Sequence, residues 1–242
     1  MCPPVQMESN ERALLNGMSP LLSLLIIGSL HLASTERPMK KTLVFPVATD
    51  TSYVELMPQK DLSIASFTLC MQLATELAKG KREIILFAYR TEQFDELNVW
   101  RESDGTYQMF MQSSKNGVSF NLPELNTIQT HLCLTWESQT GMAAFYVNGK
   151  RSLRKLYKMG HRVLPGGRVI LGQDPDSLLG NFDINQSFVG EITDVNMWDY
   201  VLSTAMIRDL NDGKWVPRGN IFDWETINMK LNGNVTLFSE DL

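Results

Sequence analysis

Three carboxylates and several amides are crowded into Gly172-Gln173-Asp174-Pro175-Asp176-Ser177-Leu178-Leu179-Gly180-Asn181-Phe182-Asp183-Ile184-Asn185-Gln186, a stretch with little to pack. Hard cations such as Ca²⁺ take about six to eight oxygens from carboxylates, amide and backbone carbonyls and water, and this stretch is stocked with them. Zinc would call for His or Cys, which the stretch lacks. The spacing is not that of an EF-hand, because the regular alternation of ligands and the closing Glu are missing. Composition by itself leaves a second reading open, an ordinary solvated turn, since Asp, Asn and Gly also dominate turns.

The elements that would hold such a loop are short and β-like. Apolar segments at 43–45, 53–57, 67–73, 84–89, 107–111, 118–122, 132–136, 143–147, 168–171, 188–198 and 228–231 are punctuated by Gly, Pro, Asn and Asp. Strands at such spacing, with no amphipathic helices between them, predict an all-β fold, a sandwich or barrel. Asn148-Gly149 is the strongest hairpin signal. One helix is predicted over 203–211, with Ser203 as N-cap, Gly213 as terminator, and Leu202, Met206 and Leu210 as a stripe that lies on a sheet.

The chain has 242 residues, 43% hydrophobic and 20% charged, which excludes wholesale disorder and fits one sizeable β domain or two small ones. The net charge of −5, with no basic run longer than two residues, removes the electrostatic footprint of nucleic-acid binding. Residues 20–33 are apolar, too short for a comfortable membrane span but suited to the core of a secretory leader cleaved near Ala33 or Ser34. The alternative is a buried apolar strand or helix. Glu8 and Glu11 offset Arg12 ahead of it, so translation from Met18 would leave a more ordinary leader. Nothing interrupts the rest, which reads as residues 1–34 preceding one domain at 35–242. With Cys2 in the removed segment, Cys70 and Cys133 remain, the arithmetic of one disulfide in an exported chain; two unpaired buried thiols are the other reading.

His131-Leu132-Cys133-Leu134-Thr135-Trp136-Glu137-Ser138 resembles the pentraxin signature, His-x-Cys-x-Ser/Thr-Trp-x-Ser/Thr. Other landmarks follow in the family's order: Phe45-Pro46, Asp50-Thr51-Ser52-Tyr53-Val54, Leu171-Gly172-Gln173, Ser187-Phe188-Val189-Gly190-Glu191-Ile192 and Asn196-Met197-Trp198-Asp199. The likeness runs from about Lys41 to the carboxyl end. It implies a flattened, antiparallel, lectin-like (jelly-roll) β-sandwich with one short surface helix, a Cys70–Cys133 bridge, and two Ca²⁺ per subunit. Carried over position by position, the ligands fall on Asp174, the Pro175 carbonyl, Asp176, Asp183 and Gln186, with Asp95 and Glu96 as the first half of the site. The chain is one residue shorter there, so either Asp95 or Glu96 takes that role. Asp174 stands where the best-known members have Glu, one methylene longer.

The resemblance further implies phosphate-bearing ligands (phosphocholine or phosphoethanolamine) or anionic carbohydrate on microbial or damaged-cell surfaces, as part of innate immunity and the acute-phase response. Trp100 aligns with the wall of the pocket that receives a quaternary ammonium, an attraction worth about 0.5 to 2 kcal/mol; a Trp packed on its own sheet is the plain reading. The pocket's acidic partner has no counterpart, since Asn116-Gly117 align near it. A cyclic homo-oligomer, five subunits by resemblance, is expected, and complement is raised as a partner with Asn148 standing where relatives carry an acidic residue. Asn185 and Asn234 head glycosylation sequons, with Asn234 preferred because Asn185 overlaps the calcium loop. A glycan-cleaving enzyme would need paired catalytic carboxylates, and the Glu-x-Asp-x-x-Glu spacing is absent. An adhesive structural module is the remaining alternative.

Overall fold

In the computed structural model, residues 39–241 are described, and the expected leader within 1–34 lies outside them. The elements in chain order are β1 (Met39–Phe45), β2 (Tyr53–Met57), β3 (Ser66–Ala74), β4 (Ile84–Arg90), β5 (Asp95–Arg101), β6 (Tyr107–Phe110), β7 (Val118–Phe120) and β8 (Thr130–Glu137). They continue with β9 (Met142–Val147), β10 (Lys150–Arg151), β11 (Lys155–Leu156), β12 (Arg168–Leu171), β13 (Gly190–Trp198), α1 (Thr204–Asn211), β14 (Asn228–Asn232) and β15 (Thr236–Asp241). All pairings are antiparallel. One sheet runs β10-β9-β8-β3-β13-β1-β15 with β11 on β9, the other β14-β2-β12-β4-β5-β6-β7.

The two sheets stack because side chains alternate along each strand. Leu69, Met71 and Leu73 of β3, Leu132, Leu134 and Trp136 of β8, and Leu97 and Val99 of β5 share one apolar core. Cys70 and Cys133, one residue out of phase, face the other way, where they pack with Trp198, Leu202 and Ile207 under α1. They are register partners and form the disulfide. On the outer face of the second sheet, Ile85, Ala88, Trp100 and Ile170 make a third apolar cluster.

α1 starts as predicted, with Ser203 Oγ accepting from Met206 N–H at 3.2 Å. Its buried residue is Ile207, while Met206 and Leu210 lie partly covered at its flanks. Asn148 and Gly149 sit at φ 48° and 73°, the positive values of a tight hairpin turn between β9 and β10.

Four strands were not expected: β5, β10, β11 and β15. β5 matters most, since it carries Asp95, Asn98 and Trp100. Its sequence Asp95-Glu96-Leu97-Asn98-Val99-Trp100-Arg101 hides the strand, because Glu96, Asn98 and Arg101 are polar yet buried.

Candidate metal centre and adjoining pocket

The acidic loop leaves β12 at Gly172, whose φ of 92° suits glycine and whose Cβ, were there one, would run into the Phe45 ring. Gln173 ties the loop's start down: its Nε2 donates to the Thr49 carbonyl at 2.5 Å and the Ser52 carbonyl at 3.2 Å. The loop's end is tied by Gln186, whose carbonyl accepts from Ile85 N–H at 3.0 Å and whose Nε2 donates to Glu83 Oε1 at 3.0 Å. Both anchors place the loop over the outer face of the second sheet.

There Asp174 meets β5. Asn98 Nδ2 donates to Asp174 Oδ1 at 2.7 Å. Asp174 is only 7% exposed, and its carboxyl is pushed up to about 7, first by burial and then by the charges of Asp95 and Asp176. A buried carboxylate beside two others is the electrostatic arrangement that a cation relieves. Asn98 Oδ1 is buried with no hydrogen-bond partner, an oxygen left over at the same place. These residues therefore fit a hard cation: oxygen donors only, excess negative charge and an orphaned carbonyl.

Asp95 is aimed here by an irregularity in the ladder. Tyr89 pairs with Leu97 and Arg90 with Asp95, which leaves Glu96 as an extra residue in β5. Arg90 Nη1 bonds Asp95 Oδ1 at 2.5 Å, and Ser113 Oγ accepts from Asp95 N–H at 2.8 Å. Glu96 is turned away from the loop. Fully buried, its Oε1 sits 2.9 Å from His161 Nε2 and accepts from Leu164 N–H at 3.0 Å. Of the two residues between which the sequence left the choice, the structure brings Asp95 to Asp174 and gives Glu96 to His161.

The distal limb is arranged differently. Asp183 Oδ1 accepts from the backbone and side-chain amides of Asn185, both at 2.9 Å, and Gln186 N–H donates to the Asp183 carbonyl at 3.0 Å. Asp183 acts electrostatically on Arg82, and Arg82 Nη1 donates to the Asn185 carbonyl at 2.8 Å. Asp174 thus lies within electrostatic reach of Asp95 and Asp176, whereas Asp183 and Gln186 lie beside Arg82 and Glu83. The Asn185 amide is engaged with Asp183, while Asn234 is exposed in the turn between β14 and β15.

Next to Asp174 is a cavity of about 310 Å³ lined by Asn98, Asp174, Trp100, Phe110, Glu83 and Glu102, among others. Trp100, 8% exposed, belongs both to the apolar cluster on the sheet and to the cavity wall. Glu102 has its carboxyl pushed up by burial and by Glu83 and Asp104. Sequence reasoning missed Asn98, Glu83 and Glu102. Asn98 and Trp100 are two apart on one strand face, a period-two signal visible only once β5 is known to be a strand. Glu83 and Glu102 flank β4 and β5, and the Ile84↔Arg101 pairing makes their ends neighbours.

Among the described residues, the group of three His, Cys, Asp or Glu side chains whose ligand atoms all lie within 4.8 Å of one another is Cys70, His131 and Cys133, whose two sulfurs are bonded to each other; the carboxylates of Asp95, Asp174 and Asp176 stand farther apart than that.

Residues 41–238 match the Pentaxin family. The chain is 54% identical over 203 residues to the C-reactive protein of Danio rerio, covering 83% of this chain and 89% of that protein. It is 36% identical over 219 residues to the serum amyloid P-component of Sus scrofa, covering 90% and 96%. In structure it superposes on a native heptameric SAP-like pentraxin from Limulus polyphemus with a TM-score of 0.70 and 22% identity, covering 82% and 94% of the two chains. Such homologues are non-enzymatic binding proteins, and this chain is one too. With the family matched over most of its length and the sandwich shared, the chain belongs to the Pentaxin family.

Proposed function

We propose that this chain is a secreted, calcium-dependent recognition protein of innate immunity that binds phosphate-bearing headgroups on microbial or damaged-cell surfaces. The observation that carries this reading is the Asp174 cradle: a buried carboxylate, two like charges and the orphaned Asn98 Oδ1. Asp95, Asn98, Asp174, the Pro175 carbonyl and Asp176 would hold one ion, and Asp183 and Gln186 would complete a second position beside it. Ions held at the surface by protein oxygens keep open positions that phosphate oxygens fill.

The neighbouring cavity favours a zwitterionic headgroup. Its Trp100 face attracts a cation by its quadrupole, and Glu83 and Glu102 supply the negative charge that sequence comparison did not locate at Asn116-Gly117. A headgroup with phosphate on calcium and an ammonium 4–5 bonds away matches a metal cradle adjoining an acidic aromatic pocket.

A cyclic homo-oligomer, five subunits by family likeness, would multiply weak single sites on a repetitive surface. Leu153, Leu156 and Met159, exposed at the β10–β11 edge amid Arg151, Arg154 and Lys158, offer an apolar and basic surface for such packing. Among the described residues no helix is long and apolar enough to cross a membrane.

Retention of the protein on immobilised phosphocholine, phosphoethanolamine and an acidic polysaccharide, each with calcium and with EDTA, tests the reading. Calcium-dependent retention on a headgroup matrix supports it. Retention indifferent to EDTA, or none on any matrix, overturns it.

A further inference from the structure

The outer face of the eight-stranded sheet, on the other side of the core from the acidic loop, carries a second cleft. Strand alternation turns Gln72 of β3 and His131 of β8 outward as direct register partners. In β13 the core residues are Ile192, Val195 and Met197, so one extra residue is inserted, and the pairing with β3 shifts between Thr193 and Asn196. The insertion puts Asp194 at φ 54°, a conformation that a non-glycine residue adopts at a cost, and bulges of this kind re-aim a side chain. Gln72, His131, Asp194 and Asn196 floor a cleft of about 320 Å³, and Trp215 forms part of its wall.

Three features of this cleft are unexplained by the fold. His131 is 7% exposed, its Nε2 lies 3.4 Å from Cys133 Sγ, and its Nδ1 has no hydrogen-bond partner. A buried polar atom left without a partner is destabilising, and His131 Nδ1 is such an atom in the cleft floor. Asp194 is raised above the usual carboxylate range by burial, with Lys40 opposing. Trp215 is 85% exposed, although the chain two residues on is pinned by Trp198 Nε1 donating to the Pro217 carbonyl at 2.8 Å. The loop is thus anchored with its largest apolar side chain held out in water beside a polar floor.

The charges around the cleft indicate what it takes. Arg218 is paired with Asp223 and Glu225, and Lys214 with Asp209 and Asp212, so the basic groups are already committed. His131 is held neutral, its pKa lowered to about 4 by burial. Lys40, near Asp194, is in no ion pair among the described residues, but its Nζ already donates to Gln129 Oε1 at 2.8 Å and Gln72 Oε1 at 3.5 Å, so the cleft offers a ligand chiefly hydrogen-bonding groups. A ligand with one apolar face and many hydroxyls matches an exposed indole above acceptor and amide groups.

We propose that this cleft binds a neutral saccharide unit, stacked on Trp215 with its hydroxyls on Asp194 and Gln72, without calcium. The site is separate from the acidic loop, and its test is run in EDTA so that the two readings fail independently.

Saturation-transfer NMR of the intact protein in EDTA with the methyl glycosides of glucose, galactose, mannose and N-acetylglucosamine reads the binding directly. At least one glycoside is expected to receive transfer, with a weak affinity. Trp215→Ala should weaken that affinity about fivefold or more, Trp215→Phe should retain part of it, and Asp194→Asn should weaken it as well. Because Trp215 is so exposed, Trp215→Ala is expected to melt at the same temperature as the wild type. Transfer to none of the glycosides, or transfer unchanged in Trp215→Ala, overturns the proposal, as does binding that appears only when calcium is restored.

Discussion

Asp174→Asn separates the energetic cost of the proposed metal cradle from its use. In the calcium-free protein the Asp174 carboxyl titrates at about 7 in place of its ordinary 3.8. Between these values the folded chain keeps a proton that the unfolded chain has released, so stability falls as pH rises through that window. At about 1.4 kcal/mol per unit, the penalty approaches a ceiling of about 4 kcal/mol above pH 7. Asparagine has no charge to desolvate and can still accept from Asn98. Calcium-free Asp174→Asn is therefore expected to be more stable than the wild type at pH 7.5, by about 1 to 4 kcal/mol, and indistinguishable from it near pH 4. For a domain of this size that is a rise in Tm of several degrees, on the scale of about 2–4 °C per kcal/mol. Calcium should reverse the order, since it stabilises by binding only the native wild-type cradle. Thermal melts of both proteins between pH 4 and 8, with EDTA and with calcium, give the result. If Asp174→Asn is no more stable than the wild type in EDTA at pH 7.5, or if calcium raises the Tm of both equally, the cradle does not work as described.

Three further outcomes follow from other parts of the molecule. Trp100→Ala should weaken phosphocholine binding by about 0.5 to 2 kcal/mol while leaving inorganic phosphate unaffected, as read by competition for the immobilised headgroup. Replacing Cys70 and Cys133 together by Ala removes a link between residues 63 apart in sequence and should cost about 2 to 4 kcal/mol in urea unfolding, with α1 and the strands beneath it opening first. His131, held at about 4 by burial against 6.5 when free, takes up a proton more readily in the unfolded chain. Stability should therefore be lost as pH falls from about 6.5 towards 4, by up to about 3 kcal/mol, and His131→Gln should flatten that slope in melts across the range.

Much of this protein is legible along the chain. Period-two alternation in 67–73 and 132–136 fixes which side chains enter the core and turns both cysteines to the same outer face. Asn148-Gly149 announces its hairpin, and Ser203 its helix, because turns and caps are decided by a few adjacent residues. The acidic stretch from Asp174 to Gln186 advertises oxygen ligands by composition, and the ordered landmarks around His131-Leu132-Cys133 name the family.

What only the tertiary structure decided is where side chains from distant segments meet. Glu96 and Asp95 are adjacent carboxylates, yet the extra residue opposite Tyr89 and Arg90 sends one to His161 and the other towards Asp174. Asn98, silent in sequence, becomes the partner of Asp174 because β5 runs beneath the loop, and Glu83 and Glu102 become neighbours through the pairing of β4 with β5. Local pattern records how each residue sits on its own strand; ladder register and bulges set which strands lie side by side, and those depend on the packing of the whole sandwich.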